Sequence, residues 1–335
     1  MKVIGIGNAL VDILTNINNY DLLIKLELPL GSMQLVDTKR MRKALNESKG
    51  YKQTLASGGS AANTIHGLGQ LGVETGFIGK IGNDDLGKFF ENDMKSAGIS
   101  TSLIVGNDAT GTALAFITPD SERTFAVYLG AAIELNAQDL SSSIFKGYDL
   151  LHIEGYLVQN QTLIETAVKL AKESGLKVSL DMASYNVVEA NREFLHRIIK
   201  EYVDIVFANE EEAKSFTGKS PEESLGILAQ MVDIAVVKIG SKGSLIQKGN
   251  YVYKVGVIKV NPIDTTGAGD LYAAGFIFGL SKNLPLSTCG ELGALLSGNV
   301  IETIGPKMQT EVWEKIHSIK HSIIIEGKSI TLKTD

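Results

Sequence analysis

The stretch NPIDTTGAGDLYAAGFIFGL, residues 261–280, approaches in extended form at Pro262 and then runs uncharged from Leu271 to Leu280. It reads as a loop entering a buried helix whose first turn holds Gly267, Ala268 and Gly269. Small residues there expose backbone N–H groups, and the helix dipole adds partial positive charge, so the turn can receive an anion. Asp270 is then oddly placed, an acid beside an anion site at the head of an apolar helix. One reading makes the N–H groups stabilise a transferring phosphoryl group while Asp270 takes a proton from an attacking hydroxyl. The plainer reading is an acid that merely complements the helix dipole.

Upstream of this stretch, short apolar runs alternate with amphipathic ones. Val3 to Ile6, Gly76 to Ile81, Leu150–Ile153, Lys177–Leu180, Asp204–Phe207 and Ile234–Ile239 read as buried strands. Thr162–Glu173, Arg192–Tyr202 and Pro221–Met231 read as helices between them. Continuous apolar strands joined by helical crossovers argue for an α/β fold with a parallel sheet covered on both faces. Two segments break the rhythm, about 12–37 and 111–130. The first holds strand-like pieces with no good helix between them. The second reads as a hairpin, TALAFIT and TFAVYL around a polar turn at Pro119–Glu122. Both are expected to form a small β lid. From Asp264 the chain reads as helical to about His321, then as a strand-like tail.

Other polar residues stand where chemistry could use them. ASGGSAANTIHGLGQLG, residues 56–72, places Gly58 and Gly59 before a helix that carries Asn63 near its start. The glycines let backbone approach a ligand, and an amide can bond a sugar hydroxyl as donor or acceptor. A simple glycine turn with a helix-start Asn is equally open. Asp12, read at the end of the first strand, can accept two hydroxyl hydrogens of a vicinal diol, or be an ordinary strand-end acid. Asn209 and Glu212, three apart at a helix start in FANEEEAKSFTG, can hold hydrated Mg²⁺ through water. An acid-rich helix start is the bland alternative.

Composition narrows the partners. The net charge of −6 over 335 residues disfavours nucleic acid. A single cysteine, Cys289, offers neither an internal disulfide nor a zinc site and suits a reducing compartment. No apolar run approaches the ~20 residues of a membrane span, and the N-terminal MKVIGIGNALVDIL reads as a strand rather than a leader. The expectation is a soluble, cytoplasmic protein. GIGNAL at 5–10 lacks the third glycine of a dinucleotide fingerprint, Leu10 standing in its place, and no Walker A motif occurs.

DTTGAGDLYAAGF closely resembles the C-terminal signature of the PfkB, ribokinase-like family of carbohydrate and nucleoside kinases, and the resemblance covers essentially the whole chain. It implies a three-layer α/β/α sandwich with a mainly parallel central sheet and a β lid, as one catalytic domain over 1–335. It also implies ATP and Mg²⁺, with Gly267, Ala268 and Gly269 as anion hole and Asp270 as base. Gly58, Gly59, Asn63 and Asp12 match the family's substrate residues. Asn209 and Glu212 match its N-x-x-E metal motif. Asp264 resembles a monovalent-cation ligand, which implies K⁺. Lys238, Gly240 and Gly243 in VVKIGSKGSL resemble the strand and loop beside the nucleotide. Arg123 in SERTF stands where the adenosine-kinase branch carries an arginine over the phosphate; otherwise it is a solvated turn residue. GNALVDI looks most like that branch, so adenosine or another nucleoside is favoured over ribose, fructose or 2-keto-3-deoxygluconate. The lid residue Phe116 either covers a base or packs on the core. Ala294 stands where many members carry His or Asn near adenine. A sensing protein that kept the fold without the chemistry is the reading from another class, and both monomer and homodimer are open.

Overall fold

The computed structural model describes residues 1–120, 122–326 and 332. Its strands are β1 (Val3–Ile6), β2 (Leu10–Asn16), β3 (Met33–Leu35), β4 (Gln53–Gly58), β5 (Thr75–Ile81), β6 (Ser100–Val105) and β7 (Gly111–Ile117). They continue as β8 (Arg123–Tyr128), β9 (Leu150–Glu154), β10 (Lys177–Asp181), β11 (Ile205–Asn209), β12 (Ile234–Lys238), β13 (Ser244–Lys248) and β14 (Tyr251–Val255).

Nine of these form one sheet in the order β14-β13-β12-β11-β10-β9-β1-β5-β6. Every pair from β12 to β6 is parallel, and only the β12–β13 and β13–β14 pairs are antiparallel. The apolar strands are apolar because both faces are covered. Side chains alternate across a strand, so Ile205 and Phe207 enter one core cluster while Val206 and Ala208 enter the other. The first cluster also takes Ile65, Phe90, Leu271, Phe278 and Leu292, from the helices Ser60–Gln70, Asp85–Ser96, Ala268–Ser281 and Leu286–Val300. The second takes Ile164, Ile198 and Leu225, from Gln161–Glu173, Arg192–Tyr202 and Pro221–Leu228. Each fully buried Leu, Ile or Phe contributes about 1.5–3 kcal/mol. The result is the expected three-layer α/β/α sandwich.

The second sheet has five strands, β3-β8-β7-β2-β4. β7 and β8 form the expected hairpin, with Ile117 opposite Arg123. Three details differ from the sequence reading. A six-residue helix, Asp21–Leu26, lies between β2 and β3, because Leu22, Leu23 and Leu26 find a buried face. The lid gains β4, whose exposed Thr54 and Leu55 hid its strand character. Asp12 does not end the first strand: β1 stops at Ile6, and Asp12 sits inside β2, opposite Ala56 and Ala113. The last described helix runs to Glu326, and the strand-like tail expected beyond it lies, except for Leu332, outside the described residues. Among the described residues no helix is long and apolar enough to cross a membrane.

Candidate active site

The carboxyl ends of the parallel strands form one polar edge. Gly7 and Asn8 follow β1, while Glu154, Asp181, Asn209 and Lys238 end β9, β10, β11 and β12. Open parallel sheets bind ligands at this edge, where loops and helix N-termini meet. Two helices, Ser60–Gln70 and Ala268–Ser281, begin here and point their first turns at each other.

Asp270 joins them. Its carboxylate accepts from Ser60 Oγ at 2.7 Å and from Asn63 Nδ2 at 2.9 Å, and its carbonyl accepts from Thr64 Oγ1 at 3.1 Å. Burial pushes the carboxyl up to about 6, opposed by the hydrogen bonds from Asn63 and Ser60. Asp270 can therefore hold or give up a proton near neutral pH. The turn before it is tightly made. Gly267 has φ of 77°, a left-handed conformation natural to glycine, and a Cβ there would lie 2.7 Å from Pro306 Cβ. Thr266 N–H donates to Asp264 Oδ1 at 2.9 Å. Ala268 N–H turns back to Thr265 O at 3.1 Å, so it is spent within the turn. The N–H groups of Gly267, Gly269 and Asp270 have no hydrogen-bond partner among the described residues, so the turn presents three open donors.

On the substrate side, Gly58 backs onto Asp12 so closely that a Cβ would overlap the carboxylate. Burial pushes Asp12 up to about 7; Lys307 opposes the rise, and Asp270 and Asp264 add to it. Gly59, at φ of 100°, starts the helix that carries Asn63. Asn63 Oδ1 is buried and unpartnered, free to accept from a hydroxyl. Glu154 organises this corner by accepting from Asn8 Nδ2 at 2.5 Å and Ala61 N–H at 3.1 Å.

Arg123 is not a solvated turn residue. It opens β8 and reaches Asp264 at 2.6 Å, with its Nε and Nη2 buried and unpartnered. Asp264 also accepts from Gly305 N–H at 2.6 Å, so both its oxygens are engaged by protein donors, and a K⁺ ion would compete with Arg123. Phe116 is fully buried in the core, which is the packing outcome. Ala294 is buried on Leu286–Val300.

On the opposite flank Lys238 Nζ pairs with Asp181 Oδ2 at 2.8 Å, and a Cβ on Gly269 would lie 3.0 Å from that nitrogen. This ammonium thus borders the glycine turn. Gly240 and Gly243 follow in the turn to β13, both with positive φ. Asn209 and Glu212 form a reciprocal cap. Glu212 accepts from Asn209 N–H at 2.7 Å and Nδ2 at 2.6 Å, and its own N–H donates to Asn209 Oδ1 at 2.9 Å. Burial pushes Glu212 up to about 7, with Asp181 adding and Lys238 opposing. Among the described residues no three carboxylate, histidine or cysteine side chains form a metal cage. Buried acids already hydrogen-bonded to protein fit the outer shell of a hydrated Mg²⁺, not the direct ligation of a bare one.

Residues 31–312 match the family described as pfkB family carbohydrate kinase. The chain belongs to that family. A 5-dehydro-2-deoxygluconokinase from Lacticaseibacillus casei is 30% identical over 263 residues, 74% of this chain and 81% of that protein. A probable sugar kinase from Rhizobium etli superposes with a TM-score of 0.84 at 32% identity, covering 95% of this chain and 98% of that one. An adenosine kinase from Sinorhizobium meliloti does so with a TM-score of 0.84 at 31% identity, covering 95% and 99%.

For this pfkB-family kinase the structure brings Asp12, Gly58, Gly59, Asn63, Arg123, Asp264, Gly267, Gly269, Asp270 and Lys238 to one edge, and sets Asn209 and Glu212 beside Lys238. Sequence reasoning missed Ser60, Glu154, Asp181 and Lys307. Glu154 and Asp181 had a readable signal, an acid closing an apolar strand. Lys307 had none.

Proposed function

We propose that this kinase transfers the γ-phosphoryl group of ATP to the 5′-hydroxymethyl group of a nucleoside, with adenosine favoured. The observation that carries the reading is Asp270, held by Ser60 and Asn63 beside three open backbone N–H groups. The acceptor hydroxyl lies against Asp270, its proton passes to that carboxylate, and its oxygen attacks the γ-phosphorus in line as the bond to ADP breaks. The N–H groups of Gly267, Gly269 and Asp270 receive the charge that develops on the phosphoryl oxygens. Lys238, next to Gly269, and the open nitrogens of Arg123 meet the same charge from either side. Asn209 and Glu212 would hold Mg²⁺ through water, and the ion would supply charge neutralisation on the phosphates. Asp12 and Asn63 hold the acceptor's hydroxyls. The likeness to the Sinorhizobium meliloti adenosine kinase over almost the full chain supports a nucleoside acceptor. The Lacticaseibacillus casei relative supports a second reading, a sugar or sugar-acid acceptor.

The test is a coupled ADP-release screen of adenosine, inosine and guanosine against ribose, fructose, 2-keto-3-deoxygluconate and 5-dehydro-2-deoxygluconate. Adenosine should exceed every sugar by at least about tenfold in kcat/KM. A sugar or sugar acid at the head of the ranking overturns the nucleoside reading in favour of the second one.

A further inference from the structure

The loop after Leu286–Val300 carries a lysine into the site. Gly305 donates to Asp264, and Pro306 packs against Gly267, so Lys307 is fixed beside the anion-hole turn. Its Nζ is buried and has no hydrogen-bond partner. Three carboxylates from three different elements act on it: Asp93 of Asp85–Ser96, Asp12 of β2, and Asp270. None of them forms an ion pair with it among the described residues. Asp93 is already engaged by Ser57 N–H at 3.0 Å. The Asp12 carboxylate accepts no hydrogen bond from the described residues; burial and neighbouring charges act on it.

A buried ammonium without a partner and a part-exposed carboxylate that accepts no hydrogen bond from the described residues thus stand near each other. A desolvated donor with no acceptor costs free energy, and so does a desolvated acceptor with no donor. The ammonium's cost falls when a molecule arrives that offers it an oxygen, and Asp12 stands open to a hydroxyl hydrogen of the same molecule. A hydroxyl does both, and two adjacent hydroxyls do so with room for each group. Charge narrows the class further. When ionised, Asp12, Asp93 and Asp270 outnumber the ammonium, and His66 adds no positive charge because burial and Lys307 push its imidazole down to about 3. An acid arriving there would add negative charge to a cluster that already has an excess of it, at effective dielectrics where such repulsion is strong.

We propose that Lys307 is a substrate-binding residue that, with Asp12, selects an uncharged vicinal diol, the ammonium donating to a hydroxyl oxygen while Asp12 accepts the hydroxyl hydrogen. This rests on the nucleoside reading only in that a ribose supplies the diol.

The experiment compares wild type with Lys307→Met and Lys307→Arg on adenosine, 2′-deoxyadenosine and 3′-deoxyadenosine, with the KM for ATP and a thermal melt measured alongside. Lys307→Met should raise the adenosine KM about 10- to 100-fold, the loss of one charge-assisted hydrogen bond. The KM for ATP should hold, and Lys307→Arg should recover most of the affinity. The penalty should shrink to within about threefold on the analogue that lacks the contacted hydroxyl. An equal penalty on all three nucleosides makes Lys307 a support for Asp12 and overturns the inference, as does no penalty at all. If Lys307→Met does not fold, Lys307→Gln is read by the same criteria. If wild type accepts no nucleoside, the function proposed above fails separately. The variants are then read on the accepted neutral sugar and its deoxy counterpart, while preference for a sugar acid overturns the neutral-diol inference outright.

Discussion

Asp270→Asn should make the protein more stable and nearly inactive at once. The carboxyl rises from its ordinary 3.8 to about 6 on burial. Each unit corresponds to about 1.4 kcal/mol, so carrying this charge in the folded state costs about 3 kcal/mol once ionisation is complete. The sign follows from proton binding: between these two values the folded state holds more protons than the unfolded, so stability falls as pH rises. Well below the unfolded value of 3.8 both states are protonated and the cost vanishes; it is about 0.5 kcal/mol at pH 4 and grows to about 3 kcal/mol by pH 8. The amide removes that cost at every pH. It also keeps two hydrogen bonds, because its oxygen can accept from Ser60 and, once the Asn63 amide has turned over, its NH₂ can donate to Asn63 Oδ1 in place of the native bond from Asn63 Nδ2. It cannot accept a proton, so kcat should fall by about 10²–10⁴. Denaturant midpoints at about pH 4 and pH 8, with m-values, measure the first effect, and single-turnover ADP release measures the second. A stability gain that does not grow with pH refutes the electrostatic argument. Turnover within a few-fold of wild type refutes Asp270 as the base.

Asp12→Asn should raise the KM for the acceptor about 10- to 100-fold and leave the KM for ATP unchanged. Because burial pushes the Asp12 carboxyl up to about 7, its accepting form fills as pH rises. The wild-type acceptor KM should therefore fall between about pH 6 and pH 8, and the variant should lose this dependence; a limb that survives the substitution assigns it to another group. Glu212→Gln should lower turnover about 10- to 100-fold and move the Mg²⁺ optimum upward. A wild-type Mg²⁺ titration in that variant would reduce Asn209 and Glu212 to a helix cap.

The sandwich was legible because burial on both faces writes itself into composition: strands such as VIGI and IVFAN have no polar face to confuse the reading. The lid was harder. QTLASG pairs at the edge of the second sheet with exposed Thr54 and Leu55, so β4 carries neither a clean alternation nor an apolar run. DLLIKL is too short for helical periodicity to show without its packing partners. Within the site, motif residues were visible because glycine and acid stand together in unusual order at Gly267–Asp270. The charge partners were not. Arg123 and Asp264 meet across 141 positions, and nothing local to either states that the other is there. Lys307 is more extreme, since its significance lies in three acids from three separate elements.

The contact between Ser60 and Asp270 spans 210 positions. The acid and the donors that orient it are therefore made at opposite ends of synthesis. A chain emerging from the ribosome can complete β1, the lid and the helix Ser60–Gln70 long before Asp270 exists. The acceptor's half of the pocket is then a surface without its acid. Until residue 307 has emerged, the loop that closes on Asp264 and Gly267 is missing as well. Unfinished chains in this way lack both Asp270 and the loop that packs beside it. The cost is paid in time: contacts this distant along the chain form slowly, so the finished protein waits on its last helices before it can act.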